Sequence, residues 1–145
     1  WDAIAEAREL LVLPIIANGE IWSIDDALRC RSVTGCDELM LGRGVLCRPD
    51  LPRLIAAASA SCASRDPLQC QEITPLLANF FALNLHPYDS HNAGNPLKQW
   101  LVYLRSYFPQ AAQLFEQIKR LRSPDDIRSV LLQAQITAPV DRCAA

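Results

Sequence analysis

The sequence predicts an α/β part followed by an all-α part, and three observations support this prediction. Two short apolar runs, at residues 14–17 and 39–41, each stop at a glycine-containing turn, as is typical of strands buried on both faces. A helix-length segment separates the two runs, which favours strand–turn–helix units with parallel strands. After Ala58 the composition changes, and no later segment has the character of a strand.

The α/β part, residues 1–58, is predicted from local signals in chain order. Asp2 is expected to cap a first helix, which Pro14 ends because proline disfavours helix in the residue before it. A strand follows at 15–17. Ser23, with Asp26 three residues later, resembles a capping box. The apolar positions of the first helix are Ile4, Ala5, Leu11 and Val12. The remaining predicted elements are a second helix at 24–32 closed by Gly35, a second strand at 39–41, and a third helix capped by Asp50.

The rest of the chain divides into a linker and a helical domain. Residues 59–71 are rich in Ser, Ala and Cys without apolar periodicity, and they are predicted to be a linker. Residues 72–145 form the predicted helical domain. Its four predicted helices lie at about 74–83, 97–108, 109–121 and 124–134. Four helices with short connections predict a small bundle.

Composition and charge limit the class of protein. Half of the residues are hydrophobic and 21% are charged, which is ordinary for a globular protein. No apolar run has membrane-spanning length, so we expect a soluble cytoplasmic protein without a membrane partner. Residues 1–96 carry 7 Lys and Arg against 12 Asp and Glu, whereas residues 97–145 carry 7 against 4. The basic last third favours an anionic partner, with a solvated helix surface as the alternative.

Six cysteines raise the question of a metal site or disulfides. The sequence has no C-x-x-C pair, and Cys62, Cys70, His86 and His91 fit no common zinc spacing. We therefore expect no metal and free, mostly buried thiols.

Polar turns follow both predicted strands and carry the candidate binding residues. Asn18, Gly19 and Glu20 follow the first strand, and Gly42 and Arg43 follow the second. Glycine lets backbone N–H groups approach an anion, and arginine adds a planar fork of donors that suits phosphate. In α/β barrels the loops after the seventh and eighth strands commonly hold a phosphate. The pattern predicts half of a phosphate-binding rim, with a plain Asn-Gly turn as the alternative.

Four segments resemble the tRNA-dihydrouridine synthases. Residues 14–22, 34–37 and 40–44 are similar to the end of the family's barrel, and residues 98–105 are similar to the tRNA-facing helix of its C-terminal helical domain. Ile21-Trp22 and Lys98-Gln99-Trp100 resemble the bacterial synthase C subfamily, which modifies the uridine at tRNA position sixteen. The resemblance implies the last two βα units of a TIM barrel followed by a C-terminal helical bundle.

The resemblance also implies a flavoenzyme. NADPH would reduce FMN, and the flavin would reduce a uracil flipped out of the tRNA. By match to the family, Asn18, Gly19, Glu20, Gly42 and Arg43 would hold the FMN phosphate and ribityl end. The family's catalytic cysteine is expected upstream of this chain, so the chain is expected to be inactive alone. The full-length enzyme is expected to be a monomer.

Five residues of the helical domain are predicted to bind tRNA: Lys98, Trp100, Arg105, Lys119 and Arg120. Lys98 and Arg105 lie seven residues apart, and hence on one face of a helix. Trp100 is a base-stacking candidate by its match to the family, with a core position as the alternative. Lys119 and Arg120 belong to a basic cluster whose alternative is a solvated surface.

Three functions compete on this sequence. The first is part of an FMN-dependent tRNA-uridine reductase. The second is a non-catalytic RNA-binding module in which the α/β part is a scaffold. The third is a barrel enzyme that binds a small phosphorylated metabolite, which the basic helical appendage disfavours.

Overall fold

The computed structural model describes residues 1–60 and 66–137, with side chains described as far as residue 134. The chain divides into two compact units, Trp1–Pro67 (unit 1) and Leu68–Ala145 (unit 2). Each unit has its own hydrophobic core.

Unit 1 combines helices with a short parallel sheet. Strand β1 pairs with β2 so that Ala17 lies opposite Leu39 and Asn18 opposite Met40. The predicted parallel pairing is therefore confirmed. The elements of unit 1 are α1 (Asp2–Leu10), β1 (Ala17–Asn18), α2 (Ile24–Thr34), β2 (Leu39–Met40), α3 (Arg43–Cys47) and α4 (Leu51–Ser59).

Helix α2 is bounded by the two signals that the sequence predicts. The Ser23 hydroxyl oxygen accepts a hydrogen bond from the Asp26 backbone N–H at 3.0 Å and donates to the Asp26 carboxylate at 2.9 Å. These contacts cap the helix, and the hydrogen bond from the Ser23 side chain is the main reason that the pKa of Asp26 is lowered. Gly35 ends the helix in the left-handed conformation, with φ +66°.

The structure corrects the burial predicted for the first apolar segment. Ala17 is fully buried, but Ile16 is 55% exposed, so the run before the first turn is not covered on both faces. Helix α1 ends at Leu10, and Leu11 and Val12, predicted as apolar positions of this helix, are exposed beyond it. Within the described residues, a sheet of two strands offers too few neighbours to cover these side chains.

One helix was not predicted. Helix α3 starts at Arg43, immediately after Gly42, and places the predicted second turn at the start of a short helix. Asp50 stands at the N-cap position of α4, but its carboxylate binds Arg48 Nε at 3.3 Å and does not cap the helix.

The described part of unit 2 consists of helices joined by loops and turns, and no strand occurs among residues 68–137. Its elements are α5 (Cys70–Asn84), α6 (Asn95–Leu104), α7 (Pro109–Ile118) and α8 (Pro124–Thr137). The positions predicted to face inward on the second of these helices and just after it are all buried: Leu97, Leu101, Leu104 and Phe108. They share one core with Leu77, Phe81, Leu114, Ile118, Ile127 and Leu131.

Helix α5 begins four residues before the predicted Thr74. Gln69 and Glu72 form a capping box in which the Gln69 backbone N–H donates to the Glu72 carboxylate at 2.8 Å. Helix α4 includes Ser59, so both ends of the segment predicted as a linker are helical. Residues 61–65 of that segment lie outside the described residues.

The described cysteines include both free thiols and a disulfide-bonded residue. Cys30, Cys36 and Cys47 are free, and the first two are buried, as predicted. Cys70 is in a disulfide, so the prediction of a free thiol is wrong at this position. Cys62 and Cys143 lie outside the described residues.

Candidate functional site

The two polar turns of unit 1 lie side by side. Because β1 and β2 run parallel with Asn18 opposite Met40, the residues that follow both strands meet at one edge of the sheet. Together they line a shallow pocket of about 110 Å³. Its lining contains all five predicted phosphate-rim residues, Asn18, Gly19, Glu20, Gly42 and Arg43, together with Ile21, Trp22 and Gly44.

The first turn has an unusual backbone. Gly19 has φ +122°, which disfavours any residue with a side chain, and Glu20 follows at φ +49°. Glu20 is the only residue other than glycine with positive φ in the described part of the chain. The Trp1 indole N–H donates to the Gly19 carbonyl at 2.8 Å and helps to hold the turn. A left-handed non-glycine residue costs about 1–2 kcal/mol, so the surrounding contacts must stabilise it.

The two glycines beside the second turn have different roles. A Cβ atom on Gly44 would lie 2.2 Å from the Ile21 carbonyl oxygen, so the close approach of two backbone segments requires glycine there. A Cβ atom on Gly42 would have no heavy atom within 4 Å. Packing therefore explains Gly44 but not Gly42, whose open backbone leaves room for a ligand.

Arg43 is held over the pocket by two neighbours. Its Nη2 lies 2.9 Å from Glu20 Oε1, and its guanidinium carbon lies 5.4 Å from the centre of the Trp22 ring. The Trp22 indole N–H donates to the second Glu20 oxygen at 2.7 Å. The side chains of Arg43 and Glu20 are 62% and 69% exposed. Such an exposed pair contributes about 0–1 kcal/mol, so an anion can compete for the guanidinium.

Two features of this pocket bear on the sequence-based prediction. Trp22 was not among the predicted site residues, although its position two residues after Glu20 could have indicated it. Asn18 points its amide at the Met40 sulfur, with Nδ2 to Sδ at 3.6 Å. Sulfur is a weak acceptor, so this contact leaves the amide available for a stronger partner.

In unit 2, Lys98 is not presented freely to solvent. Its Nζ donates to the Leu121 carbonyl oxygen at 2.6 Å, just beyond the end of α7. Burial lowers the pKa of Lys98, and the nearby Arg122 lowers it further. Arg105 is exposed, with its guanidinium carbon 5.6 Å from the centre of the Phe115 ring on α7. Lys98 and Arg105 thus both reach toward α7.

The other predicted tRNA-binding residues lie in different surroundings. Trp100 is partly buried, packs against the core of unit 2, and meets Phe80 edge to face with ring centres 4.9 Å apart. Lys119 is ion-paired with Glu116, one turn earlier on α7. Arg120 is exposed. The contact between Trp100 and Phe80 joins residues 20 positions apart and therefore leaves no local signal in the sequence.

No helix in the described residues is both long and apolar enough to cross a membrane. No three His, Cys, Asp or Glu side chains of the described residues are grouped so that they could hold a metal ion.

The sequence comparisons bear on both units. The family model described as dihydrouridine synthase matches residues 1–138. The chain belongs to the dihydrouridine synthase family. It is 37% identical over 131 residues to a "tRNA-dihydrouridine(16) synthase" of Aquipseudomonas alcaligenes, a match covering 90% of this chain and 41% of that protein. The protein of the same name from Shewanella oneidensis is 38% identical over 93% of this chain and 41% of its own length.

A relative from Escherichia coli O157:H7 with the same name is 35% identical over 90% of this chain and 40% of its own length. The chain therefore spans about two fifths of the length of these curated relatives. Both the strand-end pocket and the basic residues of unit 2 fall within the part that matches the dihydrouridine synthase family.

Proposed function

We propose that this chain is part of an FMN-dependent tRNA-dihydrouridine synthase that reduces a uridine in the tRNA D-loop with NADPH. In this proposal, unit 1 supplies the rim that holds the FMN phosphate, and unit 2 binds tRNA. The observation that carries the proposal is the match of residues 1–138 to the dihydrouridine synthase family, with a polar pocket at the ends of two parallel strands inside the matched region. The relatives' names point to position sixteen of the tRNA as the target.

The strand-end pocket fits one end of a cofactor. Its volume of about 110 Å³ is below the range of roughly 300–1,000 Å³ that is usual for complete small-molecule sites. Arg43 would hold the phosphate through paired, charge-assisted hydrogen bonds, and the open backbone of Gly42 would allow close approach. The Asn18 amide and the Glu20 carboxylate would bind the ribityl hydroxyls. Bound FMN would supply the hydride transfer.

The exposed apolar surface of unit 1 supports its place in a larger TIM barrel. Five apolar side chains along one segment are more than half exposed: Leu10, Leu11, Val12, Leu13 and Ile16. Met40, on β2, is 61% exposed. Large contiguous apolar surfaces are rare on finished monomers, and a barrel built from further strands and helices would cover this one.

None of the free cysteines described in this chain suits the role of the family's catalytic cysteine. Cys30 and Cys36 are buried, and burial raises the pKa of the Cys30 thiol. Cys47 is partly buried and does not line the strand-end pocket. We therefore assign the catalytic cysteine to the part of the enzyme that this chain does not span.

A chimeric enzyme tests the proposal. This chain would replace the 131 matched residues of the E. coli O157:H7 relative, in a strain that lacks its own synthase for position sixteen. We expect dihydrouridine to return to that position in the strain's tRNA, as measured by mass spectrometry of digested tRNA. A soluble, flavin-containing chimera that makes no dihydrouridine would contradict the proposal.

RNA binding without catalysis is the second candidate, because Arg105 and Arg120 are exposed on unit 2 and could bind RNA phosphates whether or not unit 1 takes part in catalysis. It would be favoured if this chain alone binds tRNA while the chimera forms no dihydrouridine.

A further inference from the structure

We propose that His91, Lys98 and Arg122 form a phosphate-binding site on unit 2 whose ligand is the phosphodiester backbone of RNA. These three residues are called the basic triad below. The proposal rests on the proposed function, because the RNA in question is the substrate of the synthase.

The basic triad brings together three elements of unit 2. His91 lies in the loop between α5 and α6, Lys98 in the first half of α6, and Arg122 in the loop after α7. Arg122 Nη1 contacts His91 Nε2, and Lys98 Nζ is fixed by the Leu121 carbonyl oxygen at 2.6 Å. The two contacts join residues 31 and 23 positions apart, so folding itself assembles the group.

The triad carries positive charge that no carboxylate balances by an ion pair within the described residues. None of the ion pairs found there includes His91, Lys98 or Arg122. Asp89 lies near His91 and is not ion-paired with it: its carboxylate accepts hydrogen bonds from the Asn92 backbone N–H at 2.9 Å and from the Asn92 amide at 3.0 Å. These bonds to Asn92 are the main reason that the pKa of Asp89 is lowered, and the His91 backbone N–H and the charge of His91 are smaller causes.

The electrostatics of Lys98 also favour the binding of an anion at the triad. Its pKa is lowered mainly by burial and further by the positive charge of Arg122, so the two cations are close enough to repel each other. An anion bound between them would remove this repulsion. The folded chain thus holds two like charges in a position that a bound anion would stabilise.

The donor set suits phosphate. Arginine offers a planar fork to two oxygens, lysine a point charge, and histidine a further N–H group, and a tetrahedral phosphate has oxygens for all three directions. A chain of phosphates is favoured over free phosphate because Lys119 and Arg120 lie just before Arg122 and are both exposed. A polyanion could contact several of these cations in succession.

The test compares two matched substitutions in the full chain. Arg122→Gln removes a charge from the triad, and Arg128→Gln removes the same charge from an exposed position on α8 that is ion-paired with Asp125. Binding of fluorescently labelled tRNA is measured from low to moderate salt. We expect Arg122→Gln to weaken binding roughly tenfold at low salt and to reduce the slope of log K against log salt by about 0.7–0.9, whereas Arg128→Gln leaves both unchanged.

A second variant and a second probe complete the test. His91→Gln, which keeps a hydrogen-bonding group, should weaken binding less than Arg122→Gln. Inorganic phosphate at constant ionic strength should compete with tRNA only weakly. Equal slopes for the wild-type chain, Arg122→Gln and Arg128→Gln would overturn the proposal, as would tight competition by inorganic phosphate. If the wild-type chain binds tRNA, either of these results rejects the phosphate site but does not contradict the synthase function. If the wild-type chain binds no tRNA, the RNA-binding role of unit 2 is itself contradicted.

Discussion

Arg43 makes two weak contacts that one strong ligand could replace. Its ion pair with Glu20 and its position over Trp22 are both at an exposed surface, where water competes with them. These two contacts hold the guanidinium at the pocket, but they are weak enough for a bound phosphate to replace them. The same arrangement explains how an acidic residue can stand beside a proposed phosphate site: Glu20 positions Arg43 when no phosphate is present.

At the scale of single residues, Arg43→Ala should weaken flavin retention in the chimera by on the order of 1.5–3 kcal/mol, because a charge-assisted contact is lost. Flavin content and FMN affinity of the purified protein measure the effect. Arg53→Ala is the matched control, since Arg53 lies on α4 outside the pocket lining. Equal FMN affinity in the two variants would show that Arg43 does not bind the phosphate.

The two glycines of the second turn allow a sharper comparison. Gly42→Ala adds a methyl group in open space, so the fold should persist while FMN binding falls. Gly44→Ala forces a contact with the Ile21 carbonyl oxygen and should lower the midpoint of thermal unfolding instead. Thermal melts and FMN titrations of both variants separate the two effects. A stable Gly42→Ala protein with unchanged FMN affinity would argue against a ligand at Gly42.

At the scale of secondary structure, the sequence was informative where a signal is local. The Ser23 cap, the Gly35 end of α2 and the apolar spacing of α6 depend on neighbours within four residues, and the structure has all three. Burial of Ile16 and the role of Lys98 depend on partners far along the chain. A pattern that predicts a buried strand cannot show whether the covering elements are present, and Lys98 meets Leu121 only after α6 and α7 have packed.

The cap of α2 provides a test at this scale. Ser23→Ala should destabilise unit 1 by about 1 kcal/mol at neutral pH, because the Asp26 backbone N–H loses its acceptor. The folded-state pKa of Asp26 is lowered, so its contribution is present above its ordinary value of 3.8 and is lost as the pH falls through the folded-state value. The difference in unfolding free energy between wild type and Ser23→Ala should therefore shrink in acid. Ser32→Ala, at an exposed position of the same helix, should show no such pH dependence.

At the scale of the whole molecule, the exposed apolar segment of unit 1 decides how the chain behaves by itself. Leu10 to Leu13 form an unbroken apolar run whose members are all more than half exposed, and the edges of a short parallel sheet lie in the same unit. Such surfaces favour association, because removing apolar surface from water lowers the free energy by about 25 cal/mol per Å².

We therefore expect the chain alone to self-associate as its concentration rises, and the chimera, in which the rest of a barrel is supplied, to remain a monomer. Val12→Asp should reduce self-association of the chain without lowering its thermal stability, because this side chain is fully exposed. Arg53→Asp, on the exposed side of α4, tests whether charge alone has this effect. Sedimentation velocity over a range of concentrations measures the outcome. If the wild-type chain stays monomeric at high concentration, the apolar segment does not drive association and its support for a larger barrel is lost.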